Sequence, residues 1–350
     1  VEDENYSSHT YLGVVRKLHP TASMFKAFFF TREIHFDTDE VKLDKVDDSV
    51  NMAAFVSPLI DGKVNKNQGF STQTLMPPHV KDKHDVDLDR VFTRQAGQAP
   101  NVNVNSTDKR NAVIIDNFRK EDLAIDQTEQ WMASQAVLFG QYNCEGEEHP
   151  MININLNRDP DNTIVLSLAA RWSEQNFETY NPMDDIEEAA EQSEADVNVV
   201  IMDKLAWRLF KQFKAVKDVL DNRRGTSGSL ELALKDLGRK VSWKGQCGNV
   251  DIVVNMETVK ISGNDVQLMP DYGILLCHSN HNEVFCYGRI KDDRAIRNGE
   301  HVSSRYMKVF TETGDVEQTY TVTKSSPLAL VTKPNEMVYL NVGGVLTPFQ

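Results

Sequence analysis

The sequence predicts a mixed α+β chain organised on one long helix, and three observations carry that expectation. Residues 108–140 read DKRNAVIIDNFRKEDLAIDQTEQWMASQAVLFG, with apolar side chains at Ile114, Phe118, Ile125, Met132, Ala136 and Phe139. That is close to a 3.6-residue repeat with no proline in it. Short alternating runs bounded by turn residues predict β-hairpins elsewhere. Residues 197–225 join a buried-type strand to a helix, which predicts an α/β unit.

The long helix is capped at its start by Ser106, Thr107 or Asp108 and stopped by Gly140. At 1.5 Å per residue it is ~45 Å long, more than a small domain is wide, so it reads as the spine of an elongated molecule. Upstream, residues 1–24 are polar. The apolar, aromatic run Met24–Phe36 is expected to be buried. Val50–Val56 reads as a strand, Asp61-Gly62 and Asn67-Gln68-Gly69 as turns, and Phe70–Met76 as the return strand, ended by Pro77-Pro78. Large apolar residues are sparse from Ile60 to Leu88, so this segment is expected to project and lie on something else.

Downstream of the spine, Met151–Leu156 and Thr163–Leu168 alternate around Arg158–Asn162, which predicts a second hairpin. Asn181–Asp196 reads as an acidic helix with Pro182 near its start. Val197–Met202 reads as a strand, and Asp203 as the cap of a helix with Ala206, Leu209, Phe213, Val216 and Leu220 on one strip, ended by Gly225. A short helix at Leu230–Leu237 follows. Strands Val250–Val254, Ile274–Cys277 and Val284–Tyr287 are expected to complete the same α/β domain. Arg305–Thr311 and Glu317–Thr323 flank Thr313-Gly314-Asp315 as a third hairpin, and Leu328–Val331 and Met337–Val342 are the last strands.

Composition sets limits on function. With 350 residues, 40% hydrophobic and 26% charged, the chain has the make-up of a soluble globular protein with room for two domains. No apolar run is long enough for a membrane span, and VEDENYSSHT is not the start of a secretory signal. Four cysteines are too few for a disulfide framework, so a reducing interior is the default reading. The net charge of −14 is uneven: residues 101–200 hold 20 acidic and 6 basic residues, residues 201–300 hold 13 and 16. Overall acidity argues against a protein that grips a nucleic-acid backbone, while the asymmetry permits head-to-tail pairing of copies.

Four motifs bear on chemistry. Cys277-His278-x-x-His281 with Cys286 has zinc-ligand types at no finger spacing; it supports the rival reading of a cytosolic α/β metalloenzyme with a Cys/His site at 277–286. Asp85-x-Asp87-x-Asp89 opens like a calcium loop, but Arg90 and Ala96 stand where Gly and Glu are needed. Ser23-x-x-Lys26 lacks the partner motifs of penicillin-binding enzymes. Gly225-Thr226-Ser227-Gly228 lacks the lysine of a phosphate loop. No cofactor is assigned and no nucleophile, base and orienting group line up, which lowers any enzyme reading. Lys204, Arg208, Lys211, Lys214 and Lys217, with Arg223 and Arg224, form a basic face that could bind phosphate; such a face is usually just solvated, and the sharper alternative is that it meets the acidic 184–196 segment of a neighbouring copy, with Asp184, Asp185, Glu187 and Glu188 as candidate contacts.

Five segments then resemble the major capsid proteins of bacteriophage lambda and its relatives, in the same order and spacing. They are SVNMAAFVSPLIDGKV (49–64), RKEDLAIDQTEQWMASQAVLFGQY (119–142), TYNPMDDIE (179–187), FKQFKAVKDVLDNRRGTSGSLELALKDLGRKVSWKG (210–245) and SSPLALVTKPNEMVYL (325–340). The resemblance implies the Hong Kong 97-type capsid fold. It assigns an N-terminal arm to 1–35, an extended loop to 36–95, a peripheral domain to 96–175 and 301–325, and an axial domain to 176–300 and 326–350. It implies hexamers and pentamers of an icosahedral tailed-phage shell, built in the host cytoplasm, that expands on packaging and encloses double-stranded DNA without reading its sequence. It also implies a decoration protein at the local three-fold axes, and portal and scaffold partners during assembly. Lys63 and Lys66 of the loop are candidate intersubunit contacts; with no asparagine partner identifiable by motif, no covalent cross-link is assigned to them. A structural protein of a tube or filament is the second rival.

Overall fold

The structure, a computed structural model, describes residues 23–46, 70–87, 106–146, 149–220, 240–313 and 317–344. The expected strand Val50–Val56, the helix Leu230–Leu237, the glycine turn at 225–228, and Lys63, Lys66, Arg223 and Arg224 lie outside these residues. In chain order, a short helix α1 (Met24–Phe29) runs into strand β1 (Phe30–His35), followed by β2 (Val41–Val46), β3 (Phe70–Leu75) and β4 (Val80–Asp85). The spine, α2, spans Ser106–Phe139, 34 residues and so about 50 Å. Then come β5 (Gln141–Gly146), β6 (His149–Asn155), β7 (Thr163–Val165), α3 (Pro182–Ala190), β8 (Val199–Asp203), α4 (Lys204–Phe210) and α5 (Lys214–Val219). The remaining elements are β9 (Val241–Cys247), β10 (Val250–Asn255), β11 (Thr258–Ile261), β12 (Asn264–Gln267), β13 (Gly273–Cys277), β14 (Glu283–Tyr287), α6 (Asp293–Asn298), β15 (Tyr306–Glu312), β16 (Gln318–Ser325), β17 (Pro327–Leu330) and β18 (Val338–Asn341).

A six-stranded mixed sheet, in the order β7-β18-β13-β8-β10-β9, divides two cores. Side chains alternate across a strand. Val199, Ile201, Val253, Leu275 and Tyr339 therefore enter the core shared with the spine and α1. Their neighbours Val200, Met202, Ile252, Ile274 and Leu340 enter the core beneath α3, α4 and α5, beside Trp172. Burial on both faces is why β8 and β13 read as unbroken apolar runs rather than alternating ones. The Asp203 carboxylate caps α4 as expected, accepting from the Leu205 amide at 2.8 Å.

Four sequence expectations need correction. Thr163–Val165 does not pair with Met151–Leu156: β7 runs parallel to β18, while β6 pairs antiparallel with β5. The helix expected through 204–220 is two helices. Phe213 between them has extended backbone (φ −63°, ψ 135°), buries its ring, and lets the Lys214 amide donate to the Phe177 carbonyl. The acidic helix ends at Ala190. Strand β14 leaves the six-stranded sheet and sits between β1 and β17 in a sheet of three. The aromatic run at Met24–Phe36 is α1 and β1, with Met24, Phe25, Phe29 and Phe30 buried.

The return strand Phe70–Leu75 finds its partner in β2, in unbroken antiparallel register from Val41↔Leu75 to Val46↔Phe70. This ribbon is fixed to the body at its base. Val41 and Leu75 are buried there, the Gln73 side chain donates to the Asn155 backbone carbonyl at 2.6 Å, and the Asn157 side chain donates to Gln73 Oε1 at 2.8 Å.

The spine stops at Gly140, whose φ of +66° suits only glycine. Arg158 completes the stop. Its buried guanidinium donates to the carbonyls of Val137 (3.2 Å) and Leu138 (2.6 Å), which the helix leaves unpaired, and to those of Asn162 (3.0 Å) and Met337 (2.6 Å). Four carbonyls and the negative end of the helix dipole take the place of a carboxylate partner. Burial still pushes the Arg158 pKa down to about 10. A β-carbon on residue 140 would stand 2.5 Å from Arg158 Cβ. Gly140→Ala is therefore expected to lower stability by about 1–3 kcal/mol from backbone strain alone, read as a reduced urea midpoint at unchanged slope; an unchanged midpoint contradicts this stop.

Candidate assembly site

The spine packs in two apolar stretches. Its first half buries Val113, Ile114 and Phe118 against Val86 and Met307, under the sheet of β15, β16 and β4. Its second half buries Met132, Ala133, Ala136, Val137 and Leu138 in the main core. Between them lies a belt of charge. Asp122, Asp126 and Glu129, at spacings of four and three, fall on one stripe of the helix. All three carboxylates of that stripe face one cation, Arg305, at the foot of β15.

Arg305 is 6% exposed. Its Nε donates to Asp122 at 3.0 Å, one terminal nitrogen to Asp126 at 2.8 Å, and the other to Glu129 and to the Ser325 hydroxyl at 3.2 Å. Glu129 is fully buried and also accepts from Lys26 of α1 at 2.6 Å. The cluster therefore ties the spine to α1 and to the β15–β16 hairpin at one point. Burial works to raise the Glu129 carboxyl, but the charges of Arg305 and Lys26 outweigh it and hold the group below the usual carboxylate range. Asp126 meets only Arg305 and has two carboxylates beside it, and burial pushes it up to about 6. The far end of α1 is anchored by Glu257, whose two carboxylate oxygens each lie 3.1 Å from the Met24 amide nitrogen.

The acidic and basic faces expected from sequence are partly where the sequence put them. On α3, Asp184, Glu187 and Glu188 are exposed. Asp185 is not available to a neighbour: it accepts from the Trp172 indole at 2.6 Å and the Tyr180 hydroxyl at 2.7 Å, inside its own subunit. On α4, Arg208 and its neighbour Lys211 are exposed, and Lys204 is half-buried. The Cys/His motif does not converge. Cys277 and Cys286 are buried in strands of different sheets, His278 pairs with Glu336 at 3.0 Å, and His281 stacks on His278 with ring centres 4.1 Å apart. Among the described residues no three His, Cys, Asp or Glu side chains are grouped to hold a metal ion. None of the described helices is long and apolar enough to cross a membrane.

Sequence reasoning missed the charge belt. Its signal was present, as three carboxylates at helical spacing inside an otherwise apolar strip. The partner Arg305 lies some 180 residues away, and nothing local marks it.

A long helix laid between a small sheet and a two-core body, with a two-stranded ribbon running out from it, is the architecture of a viral shell subunit. The family model described as phage major capsid protein E matches residues 7–342, and the chain belongs to that family. The chain is 38% identical over 335 residues to the major capsid protein of Escherichia phage N15, covering 95% of this chain and 98% of that one. It is 37% identical over 315 residues to the major capsid protein of Escherichia phage lambda, covering 90% and 92%. Among solved structures it resembles the putative capsid protein of a prophage of E. coli CFT073, with a TM-score of 0.80 at 29% identity over 96% of this chain and 99% of the other. The fold is the Hong Kong 97-type capsid fold, and the chain is a major capsid protein of a tailed phage.

Removing Arg305 strands a buried carboxylate. Arg305→Met is expected to cost about 3–5 kcal/mol, and adding Glu129→Gln to recover part of that loss, both read by urea unfolding. Equal stability of wild type and Arg305→Met contradicts the clamp.

Proposed function

We propose that this chain builds a closed icosahedral shell of hexamers and pentamers that expands as double-stranded DNA is packaged into it. In this reading residues 1–35 form an arm, 36–95 an extended loop, 96–175 with 301–325 a peripheral domain, and 176–300 with 326–350 an axial domain. Family membership and the ribbon of β2 and β3 carry the reading together. The described part of the ribbon is held to the body only through its base, and an isolated two-stranded ribbon is marginal in water. A neighbour that covers it completes it. Assembly takes place in the host cytoplasm with scaffold and portal proteins, and a decoration protein binds at the local three-fold axes. DNA is enclosed without sequence reading; the net charge of −14 suits a wall that does not hold it.

Within a capsomer, the exposed Asp184, Glu187 and Glu188 of α3 face Arg208 and Lys211 of the next subunit's α4, with Lys204 beside them; Arg223 and Arg224, outside the described residues, stay candidate contacts from sequence alone. One exposed pair contributes less than ~1 kcal/mol, so the effect depends on repetition around the ring. Asp185 is withdrawn from this set by its bonds to Trp172 and Tyr180. No catalytic role is assigned to any residue, and the metalloenzyme reading has no grouped ligands among the described residues to support it.

Electron microscopy of the expressed chain tests the proposal directly. Closed shells are expected; open tubes or a stable monomer contradict it. Glu187→Lys with Glu188→Lys is expected to reduce shell yield, and Arg208→Glu with Lys211→Glu in the same chain to restore part of it; no change in either chain removes this contact. On a denaturing gel, mature particles are expected to run as single subunits, and a ladder of covalent oligomers contradicts the absence of cross-links.

A further inference from the structure

Eight residues before the Arg305 clamp's last carboxylate, the spine carries a second buried acid with no cation. Glu121 is fully buried, and its carboxyl meets two hydroxyls of β16, Thr321 at 2.5 Å and Thr323 at 2.7 Å. Among the described residues no lysine or arginine pairs with it. On its own helix, Lys120 pairs with Asp116 at 2.9 Å and Asp122 with Arg305. From β4 the facing groups are Asp82 and His84, which pair with each other at 3.4 Å, and Asp82 adds a second negative charge. From β16 only threonines face it; the strand's lysine, Lys324, is taken by Asp292. Among the described residues no lysine or arginine is placed to balance a charge on Glu121.

The hydrogen atoms make the same point independently. The Thr321 hydroxyl owns one hydrogen and lies 3.3 Å from the His84 carbonyl as well as 2.5 Å from Glu121. A charged Glu121 would have to share that hydrogen with the His84 carbonyl, whereas a protonated Glu121 that donates to Thr321 frees it for His84 and gives each contact a full hydrogen bond. We propose that Glu121 is a proton-operated latch on the seam between the spine and the β4–β16–β15 sheet. Protonated, it donates to Thr321, accepts from Thr323 and closes the seam. When the carboxyl releases its proton to solvent, a bare charge remains in the seam next to Asp82, and the seam loosens. Burial, only partly offset by the threonine hydroxyls and the His84 backbone, pushes the group up to about 7, so the latch works near neutrality.

The sign follows from linkage. The closed seam holds a proton up to about pH 7, whereas an opened seam releases it near the ordinary glutamate value, 4.5. Opening is therefore favoured by up to ~tenfold per pH unit between those limits and levels off above them. The latch depends only on this geometry and not on the shell proposed above.

Hydrogen exchange of the β4 and β16 amides in the full-length chain, corrected for intrinsic rates, tests the latch. Protection should fall between pH 5 and 7 and flatten above 8, and Glu121→Gln, whose neutral amide can donate to Thr321 and accept from Thr323, should remove the slope. A flat wild-type profile, or an unchanged slope in Glu121→Gln, overturns the proposal. Should Glu121→Gln not fold, infrared spectroscopy of the wild type with labelled glutamate decides: a protonated carboxyl band at pH 6 that fades by pH 8 supports the latch, and its absence at pH 6 overturns it. Neither readout needs shells, so a failure of the shell reading leaves the test intact.

Discussion

A guanidinium that gives up water must find carboxylates, and in this chain one helix supplies all three. The bonds from Arg305 to Asp122, Asp126 and Glu129 fix the spine's rotation and its position along the sheet together. A slip of one residue would turn the carboxylates away; a slip of one turn would leave one buried and unpaired. A buried ion cluster of this kind is weak evidence for extra stability, because an apolar replacement packs as well, but it is costly to break from one side. Its effect is register. With the middle of the spine fixed, Arg158 sets where it ends, and the ribbon base at Val41 and Leu75 is placed on the same core.

Much of the frame was legible in the residues. The spine was expected from 108 to 139 and runs from 106 to 139, because an uninterrupted 3.6-residue repeat and a stopping glycine are local signals. The Asp203 cap and the hairpin around Thr313-Gly314-Asp315 were readable for the same reason. Pairing was not. Alternation marks Thr163–Val165 as a strand but says nothing about its partner, and β18, which claims it, lies some 170 residues further on. The break at Phe213 was hidden because its ring falls on the expected strip while its backbone leaves the helix, and the pull comes from the distant Phe177 carbonyl. The candidate contacts fared in the same way. Asp184, Glu187 and Glu188 are surface residues as their charge suggests, whereas Asp185 is claimed by Trp172 and Tyr180, which only the fold brings to it.

These features bear on the proposed shell in one way. The body has two sound cores and a fixed axis, so it can be handed from one arrangement of neighbours to another without unfolding. The described strands of the ribbon gain little from their own body beyond the base. A subunit divided into a self-sufficient frame and a dependent projection is suited to an assembly whose interfaces shift while its units persist.

Comparing amide exchange in dissociated subunits and in assembled particles tests that division most directly. The account predicts that spine amides from Val113 to Leu138 are protected in both states, and that amides of the ribbon beyond its base, Asp44–Val46 and Phe70–Thr72, become protected only on assembly. Equal protection of the ribbon in the isolated subunit, or a spine that gains protection only in particles, would contradict it.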